Sequence, residues 1–131
     1  MSPLALRRTG IGLTALVGLF LAMDAGGKLF APAMMIANSP PLGLPDDLSF
    51  HRMLGAILAA CLALYLYPRT AVLGAILLTG YLGGAVATHA RVGSPVGTHT
   101  LFGAYLGIAL WAALWCRLPA LRALIPLRKG D

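Results

Sequence analysis

Residues 50–88 read FHRMLGAILAACLALYLYPRTAVLGAILLTGYLGGAVAT, and this stretch decides the fold. It holds two apolar runs, residues 50–67 and 70–88, which are separated by Pro68 and Arg69. Each run is long enough to cross a bilayer, and an apolar span in lipid is helical because its backbone groups must pair internally. The connection is too short for anything but an antiparallel helical hairpin. The stretch therefore predicts two membrane-spanning helices that run in opposite directions.

The same pattern occurs on both sides of this hairpin. An apolar run over residues 9–31 ends at Pro32, which cannot continue a helix cheaply, and another run covers residues 98–116. Residues 32–49 are rich in proline, asparagine and aspartate, which predicts a long loop. We therefore predict an all-α membrane protein, an antiparallel up-down bundle of four transmembrane helices that forms a single domain over residues 1–131.

The composition agrees with a chain that is almost entirely membrane-embedded. Of its 131 residues, 59% are hydrophobic and 11% are charged, whereas ordinary soluble domains have about 45–50% and about 25%. In a soluble protein a net charge of +6 would suggest a nucleic-acid partner. In a membrane protein the positions of the cations must first be compared with the positive-inside rule, which relates them to the orientation of the spans. No zinc, P-loop or dinucleotide motif is present. We expect the lipid bilayer as a partner and no nucleic acid.

The distribution of cations predicts the orientation. With the amino terminus inside, most cations fall on the cytoplasmic side, as the positive-inside rule requires. The cytoplasmic cations are then Arg7, Arg8, Arg69, Arg117, Arg122, Arg128 and Lys129, and the outer ones are Lys28, Arg52 and Arg91. Tyr65, Tyr67, Trp111 and Trp115 are expected near the inner interface, and the amphipathic tail, residues 117–131, on the inner leaflet. The predicted location is the bacterial inner membrane, with several spans and both termini cytoplasmic.

A cleaved signal peptide over residues 1–25 is the alternative for the first span, because arginines precede its apolar stretch. The apolar run continues through Leu29 and Phe30, however, and no A-x-A cleavage site occurs before Asp24. We therefore expect this segment to be a membrane span.

Threading the four spans places most ionisable side chains at or near the outer end of the bundle. Asp24 lies within the first span, where ionisable groups usually face the bundle interior and line substrate pathways. Lys28 lies one turn later and could instead form a neutral pair with Asp24 that anchors the helix end. The candidate catalytic residues are Asp24, His89 and His99, and the candidate substrate-binding residues are Lys28, His51, Arg52, Tyr81, Thr88 and Arg91.

Three histidines, His51, His89 and His99, belong to three different spans. Together they could move protons near neutral pH, or ligate a metal if all three converge. No single helix carries two histidines at the spacing of a metal pair, so we predict no metal site. Cys61 and Cys116 form no C-x-x-C motif, which argues against the quinone-linked disulfide-forming membrane enzymes.

Small residues recur at a spacing of four positions in the last two spans. Gly80, Gly84, Gly103 and Gly107 are the clearest examples, with Gly83 on an adjoining stripe. Such spacing lets neighbouring helix backbones approach closely. We expect these glycines to pack within the bundle, and association into a homo-oligomer is the alternative.

Residues 68–93, PRTAVLGAILLTGYLGGAVATHARVG, resemble the signature of the DoxX-like family of small membrane proteins. The similarity extends to Asp24, residues 28–30, residues 99–102, Trp111 and residues 121–128. The resemblance implies a four-helix membrane protein. A distant relative, DoxX, belongs with a thiosulfate:quinone oxidoreductase, which implies a quinone as the possible cofactor. Members of the family often carry a glutamate near the position of Leu58. This chain has none, so Asp24 is the one intramembrane acid available, which argues against a mechanism that needs a second membrane carboxylate.

These features support three hypotheses of function. In the first, a polar pocket at the outer end binds a lipophilic small molecule, for which a quinone in a redox-linked role is the candidate. In the second, the same groups perform acid/base chemistry on a lipophilic substrate, as in an isomerase or a lyase. In the third, the chain is a non-catalytic accessory or carrier protein.

Overall fold

The computed structural model describes residues 1–128. Its helices are α1 (Pro3–Phe30), α2 (Pro32–Asn38), α3 (Leu48–Leu66), α4 (Ala71–Arg91), α5 (Phe102–Arg117) and α6 (Pro119–Arg122), and a π-helical turn (Val96–Thr100) precedes α5. Four helical segments, α1, α3, α4 and residues 96–117, are long and apolar enough to cross a membrane. They confirm the prediction of an all-α chain with four spans, while the up-down orientation stays a prediction. Lys129 and Asp131 lie outside the described residues.

The helix ends follow from local sequence. α1 begins at Pro3, where the missing amide costs nothing, and the Ser2 hydroxyl accepts a hydrogen bond from the Ala5 amide at 3.2 Å. α3 begins after Asp47, whose carboxylate accepts from the Ser49 amide at 3.0 Å. α3 ends at Leu66, shortly before a proline that cannot continue it.

The predicted loop over residues 32–49 contains a helix, which corrects the sequence analysis. Pro32 takes the first position of α2, where proline is favoured, and the next six residues continue the helix. Ser39 caps the end, since its hydroxyl donates to the Met35 carbonyl at 2.6 Å. The irregular part is therefore limited to residues 39–47, which we name the α2–α3 loop.

The four spans pack in a ring in which α1 and α4 each contact both α3 and α5. Each of the four interfaces contains one glycine at which a Cβ atom would lie within 3.0 Å of the partner's backbone. These glycines are Gly10 between α1 and α5, Gly55 between α1 and α3, Gly74 between α3 and α4, and Gly103 between α4 and α5. The ring therefore closes through direct contact with backbone atoms at every interface.

Most of the glycines that the sequence analysis singled out have a different environment. Gly103 does pack against the Leu82 carbonyl, at 2.9 Å from the position of a Cβ atom. Gly80, Gly83, Gly84 and Gly107 have no neighbouring heavy atom within 4 Å of that position. The prediction that these four pack within the bundle is wrong, because no neighbouring helix comes into contact with them.

The core runs through the centre of the ring. The largest fully buried side chains are Val17, Leu21, Leu58, Tyr65, Leu78, Leu110 and Leu114. Tyr65 is 0% exposed, and its hydroxyl donates to the Leu110 carbonyl at 2.9 Å. The expectation that Tyr65 lies near the inner interface stays a prediction, but its hydroxyl is satisfied inside the bundle and not by the interface. It is a core residue that links α3 to α5.

Candidate functional site

A cavity of about 960 Å³ lies where the carboxyl-terminal parts of α1 and α4 meet the amino-terminal parts of α3 and α5. The α2–α3 loop forms a further wall of this cavity. Its volume falls within the range of small-molecule sites, roughly 300–1,000 Å³. Most of the candidate site residues that the sequence analysis selected line it, namely Asp24, Lys28, His51, Tyr81, Thr88, His89 and His99. The structure therefore brings seven of the nine candidates to one cavity.

Asp24 and Lys28 form an ion pair across one turn of α1. Their side chains are 28% and 17% exposed, respectively, so both are partly buried in the protein. The pair has the favourable order of acid before base at a spacing of four residues. Because each charge compensates the other, α1 can carry both within a mostly apolar wall.

Tyr81 projects a polar atom that the protein leaves without a hydrogen bond. Its side chain is partly buried and lines the cavity. Among residues 1–128, no side chain or backbone group pairs with its hydroxyl. The core residue Tyr65 differs in this respect, since it donates to Leu110. A phenol can both donate and accept, so Tyr81 offers the cavity a complete hydrogen-bonding group.

His89 and His99 come together although they belong to different helical segments. Their ring centroids lie 6.0 Å apart. His89 Nδ1 pairs with the Ser94 hydroxyl at 3.1 Å, and His99 Nδ1 pairs with the Thr98 hydroxyl at 2.8 Å. Within residues 1–128 the two Nε2 atoms have no hydrogen-bond partner. Each ring is thus oriented through one nitrogen and leaves the other nitrogen for a ligand.

His51 and Arg91 both hold the α2–α3 loop. His51 is 8% exposed and its Nε2 lies 3.2 Å from the Pro45 carbonyl oxygen, while Arg91 Nη2 donates to the Leu42 carbonyl at 2.7 Å. Gly43 adopts a φ of +66°, a conformation that residues with a Cβ atom rarely adopt. The two side chains therefore fix the course of the loop along the cavity.

Two candidate residues do not line the cavity. Arg52 is exposed at the start of α3, and Arg91 donates to the Leu42 carbonyl of the loop instead. Thr88 lines the cavity, but its hydroxyl donates to the Gly84 carbonyl at 2.8 Å. The substrate-binding roles of these residues stay predictions. No three potential metal ligands converge in the part of the chain that the structure describes.

The apolar half of the cavity is what the sequence analysis missed. Phe20 and Phe102 meet edge to face, with ring centroids 5.2 Å apart, and both line the cavity. Phe50, Leu54 and Leu106 extend this surface. The one feature of the sequence that could have identified these lining residues is their position at the same depth of the bundle as the polar cluster. The cavity is therefore amphipathic, with polar groups and aromatic rings in the same volume.

Comparison with known protein families supplies the identity of this bundle. The model of the DoxX-like family matches residues 12–113, a range that includes α3 and α4 and most of α1 and α5. Comparisons with curated proteins and with solved structures find no match. The matched range also includes every candidate site residue, from Asp24 to His99. The chain therefore belongs to the DoxX-like family.

Proposed function

We propose that this protein binds a lipophilic small molecule with a polar head in the cavity between its four spans. The observation that carries the proposal is the set of unpaired hydrogen-bonding groups, the Tyr81 hydroxyl and the Nε2 atoms of His89 and His99, on one cavity of about 960 Å³. The protein itself satisfies none of these three groups, so all of them are available to a ligand. A ligand with matching donors or acceptors gains a hydrogen bond at each.

The chemistry of these groups points to a head that carries carbonyl or hydroxyl oxygens. A phenol and a neutral imidazole can each donate to a carbonyl oxygen, and the aromatic rings of Phe20 and Phe102 suit a flat apolar ring. A quinone combines these features, and the redox role of DoxX supports this class. The protein would bind it from the bilayer of the bacterial inner membrane, with both termini in the cytoplasm.

The first experiment introduces one larger side chain into the cavity. Gly84 lines the cavity and has no heavy atom within 4 Å of the position of a Cβ atom, so Gly84→Leu projects into the cavity without displacing the bundle. Gly12→Leu is the matched control, because Gly12 has equally open surroundings on α1 but does not line the cavity. Organic extracts of the purified proteins are compared by mass spectrometry.

We expect the wild-type and Gly12→Leu proteins to retain the same lipophilic compound and Gly84→Leu to lose most of it.

Calorimetric titration with an alkyl benzoquinone then tests the ligand class. Tyr81→Phe is expected to weaken binding about fivefold to tenfold, the effect of one hydrogen bond worth about 1 kcal/mol or slightly more. Equal retention of the compound by the wild-type, Gly12→Leu and Gly84→Leu proteins would contradict the proposal. A quinone affinity that is the same in the wild type and in Tyr81→Phe would exclude a quinone head placed at Tyr81.

A second function, acid/base catalysis, is favoured by one observation, the two imidazole rings at 6.0 Å beside the same cavity as Asp24. One ring could accept a proton while the other donates one. In that case His89→Ala or His99→Ala would abolish turnover of the bound compound and largely preserve its retention. If the compound is recovered unchanged from the wild-type protein after prolonged incubation in vesicles, a carrier or accessory role is supported instead.

A further inference from the structure

A second volume lies on the opposite side of the α4–α5 pair, and the polar cavity does not account for it. It is an apolar groove of about 850 Å³ that α4 and α5 form with the segment that follows α5. Its walls include Gly83, Val86, Ala104, Gly107 and Ile108 along the two helices, and Trp115, Leu121, Ile125 and Pro126 at one end. We name this volume the α4–α5 groove.

The α4–α5 groove is separate from the cavity. Leu82 and Gly103 line both volumes, and they lie where the two helices are in direct contact. A Cβ atom on Gly103 would lie 2.9 Å from the Leu82 carbonyl oxygen and 3.1 Å from a methyl group of Val86. This contact closes the space between the helices at that level, so a ligand of the cavity does not extend into the groove between them.

The polar side chains along the groove are satisfied by the protein. The Thr79 hydroxyl donates to the Ala75 carbonyl at 2.7 Å and accepts from Trp111 Nε1 at 2.8 Å. Trp115 Nε1 donates to the Ile125 carbonyl at 3.0 Å. These atoms therefore have no hydrogen bond left to offer a ligand, and the surface of the groove is suited to a hydrocarbon chain. The polar cavity differs, since the Tyr81 hydroxyl and the Nε2 atoms of His89 and His99 have no partner within residues 1–128.

A cation lies at one end of the groove. The Arg122 guanidinium stands over the Trp115 ring, with its central carbon 5.9 Å from the ring centroid. Trp115 lines the groove, and Arg122 is the last residue of α6. An arginine beside a tryptophan at the end of an apolar groove is complementary to a phosphate at the end of a hydrocarbon chain.

We propose that the α4–α5 groove binds an anionic phospholipid, with one acyl chain along α4 and α5 and the phosphate at Arg122. The open surroundings of Gly83 and Gly107 provide the depth for the chain. The guanidinium, which stacks on the ring, binds the phosphate oxygens and adds its attraction for the net charge of the headgroup.

Native mass spectrometry in detergent tests the proposal with two probes, phosphatidylglycerol and phosphatidylcholine. Gly107→Leu fills the groove, Gly83→Leu fills it from the opposite helix, and Gly12→Leu is the control outside it. Arg122→Gln removes the cation and leaves the groove intact. Thermal unfolding of each variant verifies that the bundle is folded.

We expect the wild-type and Gly12→Leu proteins to retain phosphatidylglycerol about fivefold more than phosphatidylcholine, the preference that one cation near the headgroup provides. Both groove-filling variants should lose both lipids, and Arg122→Gln should lose only the preference. Retention unaffected by Gly107→Leu and Gly83→Leu would overturn the proposal. A wild-type dimer that these variants dissociate, without bound lipid, would overturn it in favour of a second copy of the chain. The compound retained in the cavity should be unchanged by Gly107→Leu, which separates this result from the test of the proposed function.

Discussion

Near the start of α4, Gly74 brings the helix so close to α3 that a Cβ atom would lie 2.2 Å from the Tyr65 backbone nitrogen. Further along the same helix, Gly80 and Gly84 have no heavy atom within 4 Å of that position, and both line the cavity. We name the part of the bundle around Gly74 and Tyr65 the closed region, and the part around Gly80, Tyr81 and Gly84 the open region. The closed region also contains the hydrogen bond of the buried Tyr65 hydroxyl, whereas the open region contains the unpaired hydroxyl of Tyr81. The same residue types thus have opposite roles in the two regions.

The difference shows how a chain of 131 residues can keep an unfilled volume. A cavity forfeits the packing contacts that would have filled it, so stability must come from elsewhere in the fold. In this bundle it comes from the closed region, where α3, α4 and α5 meet through backbone contact and the core leucines. Substitutions in the closed region should therefore affect stability, and those in the open region should affect binding.

The largest expected effect breaks the closed region. Gly74→Ala places a Cβ atom 2.2 Å from the Tyr65 nitrogen and 2.4 Å from its Cα atom, and backbone atoms cannot move aside as a flexible side chain can. We expect a loss of about 3 kcal/mol or more in the free energy of unfolding. Thermal unfolding in detergent, followed by circular dichroism, measures it.

Gly80→Ala is the matched control for that substitution, because Gly80 is also a glycine of α4 but has open surroundings. It should leave the unfolding temperature unchanged or raise it slightly, because alanine favours a helix by up to about 1 kcal/mol over glycine. If Gly74→Ala and Gly80→Ala were equally stable, the closed region would not be closed by backbone contact.

An intermediate effect is expected from Tyr65→Phe. This substitution removes the hydrogen bond to the Leu110 carbonyl but keeps the buried ring, so we expect a loss of about 1 kcal/mol in the free energy of unfolding. Retention of the compound that we propose for the cavity should not change. Tyr105→Phe removes an exposed hydrogen bond to the Gly97 carbonyl and serves as the control, with a smaller expected loss. A loss of ligand in Tyr65→Phe at unchanged stability would mean that the two regions are not independent.

The smallest expected effect concerns the wall between the cavity and its exterior. Arg91→Gln removes the charged donor to the Leu42 carbonyl, and we expect a broad-specificity protease to cleave the α2–α3 loop about twofold faster, as loss of one exposed hydrogen bond of about 0.5 kcal/mol would allow. Arg52→Gln, at an exposed position outside the cavity lining, is the control. Unchanged cleavage together with weaker ligand binding would instead make Arg91 a ligand-binding residue, as the sequence analysis expected.

Much of the fold follows from the sequence because prolines and the length of the apolar runs determine where a membrane helix can begin and end. The run over residues 50–67 becomes α3 (Leu48–Leu66), and the run over residues 70–88 becomes α4 (Ala71–Arg91). The environment of each glycine could not be predicted, because it depends on how far the neighbouring helix diverges. Spacing alone does not distinguish Gly74, which packs, from Gly84, which does not.

The candidate site shows the same division. Alternating spans place Asp24, His89 and His99 at one depth, and all three line the cavity. The roles of His51 and Arg91 could not be derived in this way, because both bind carbonyl oxygens of the α2–α3 loop. Every residue presents a carbonyl, so no pattern of side chains identifies which one an arginine or a histidine will contact.

Those two contacts have a consequence for how the lining of the cavity can change. Because His51 and Arg91 hold the α2–α3 loop through the carbonyl oxygens of Pro45 and Leu42, the side chains of the loop do not contribute to these two hydrogen bonds. The side chains of Leu42 and Leu44, which line the cavity, can therefore be exchanged while the loop backbone stays attached to α3 and α4. Substitutions in this one short segment would reshape the cavity without any change in the membrane helices.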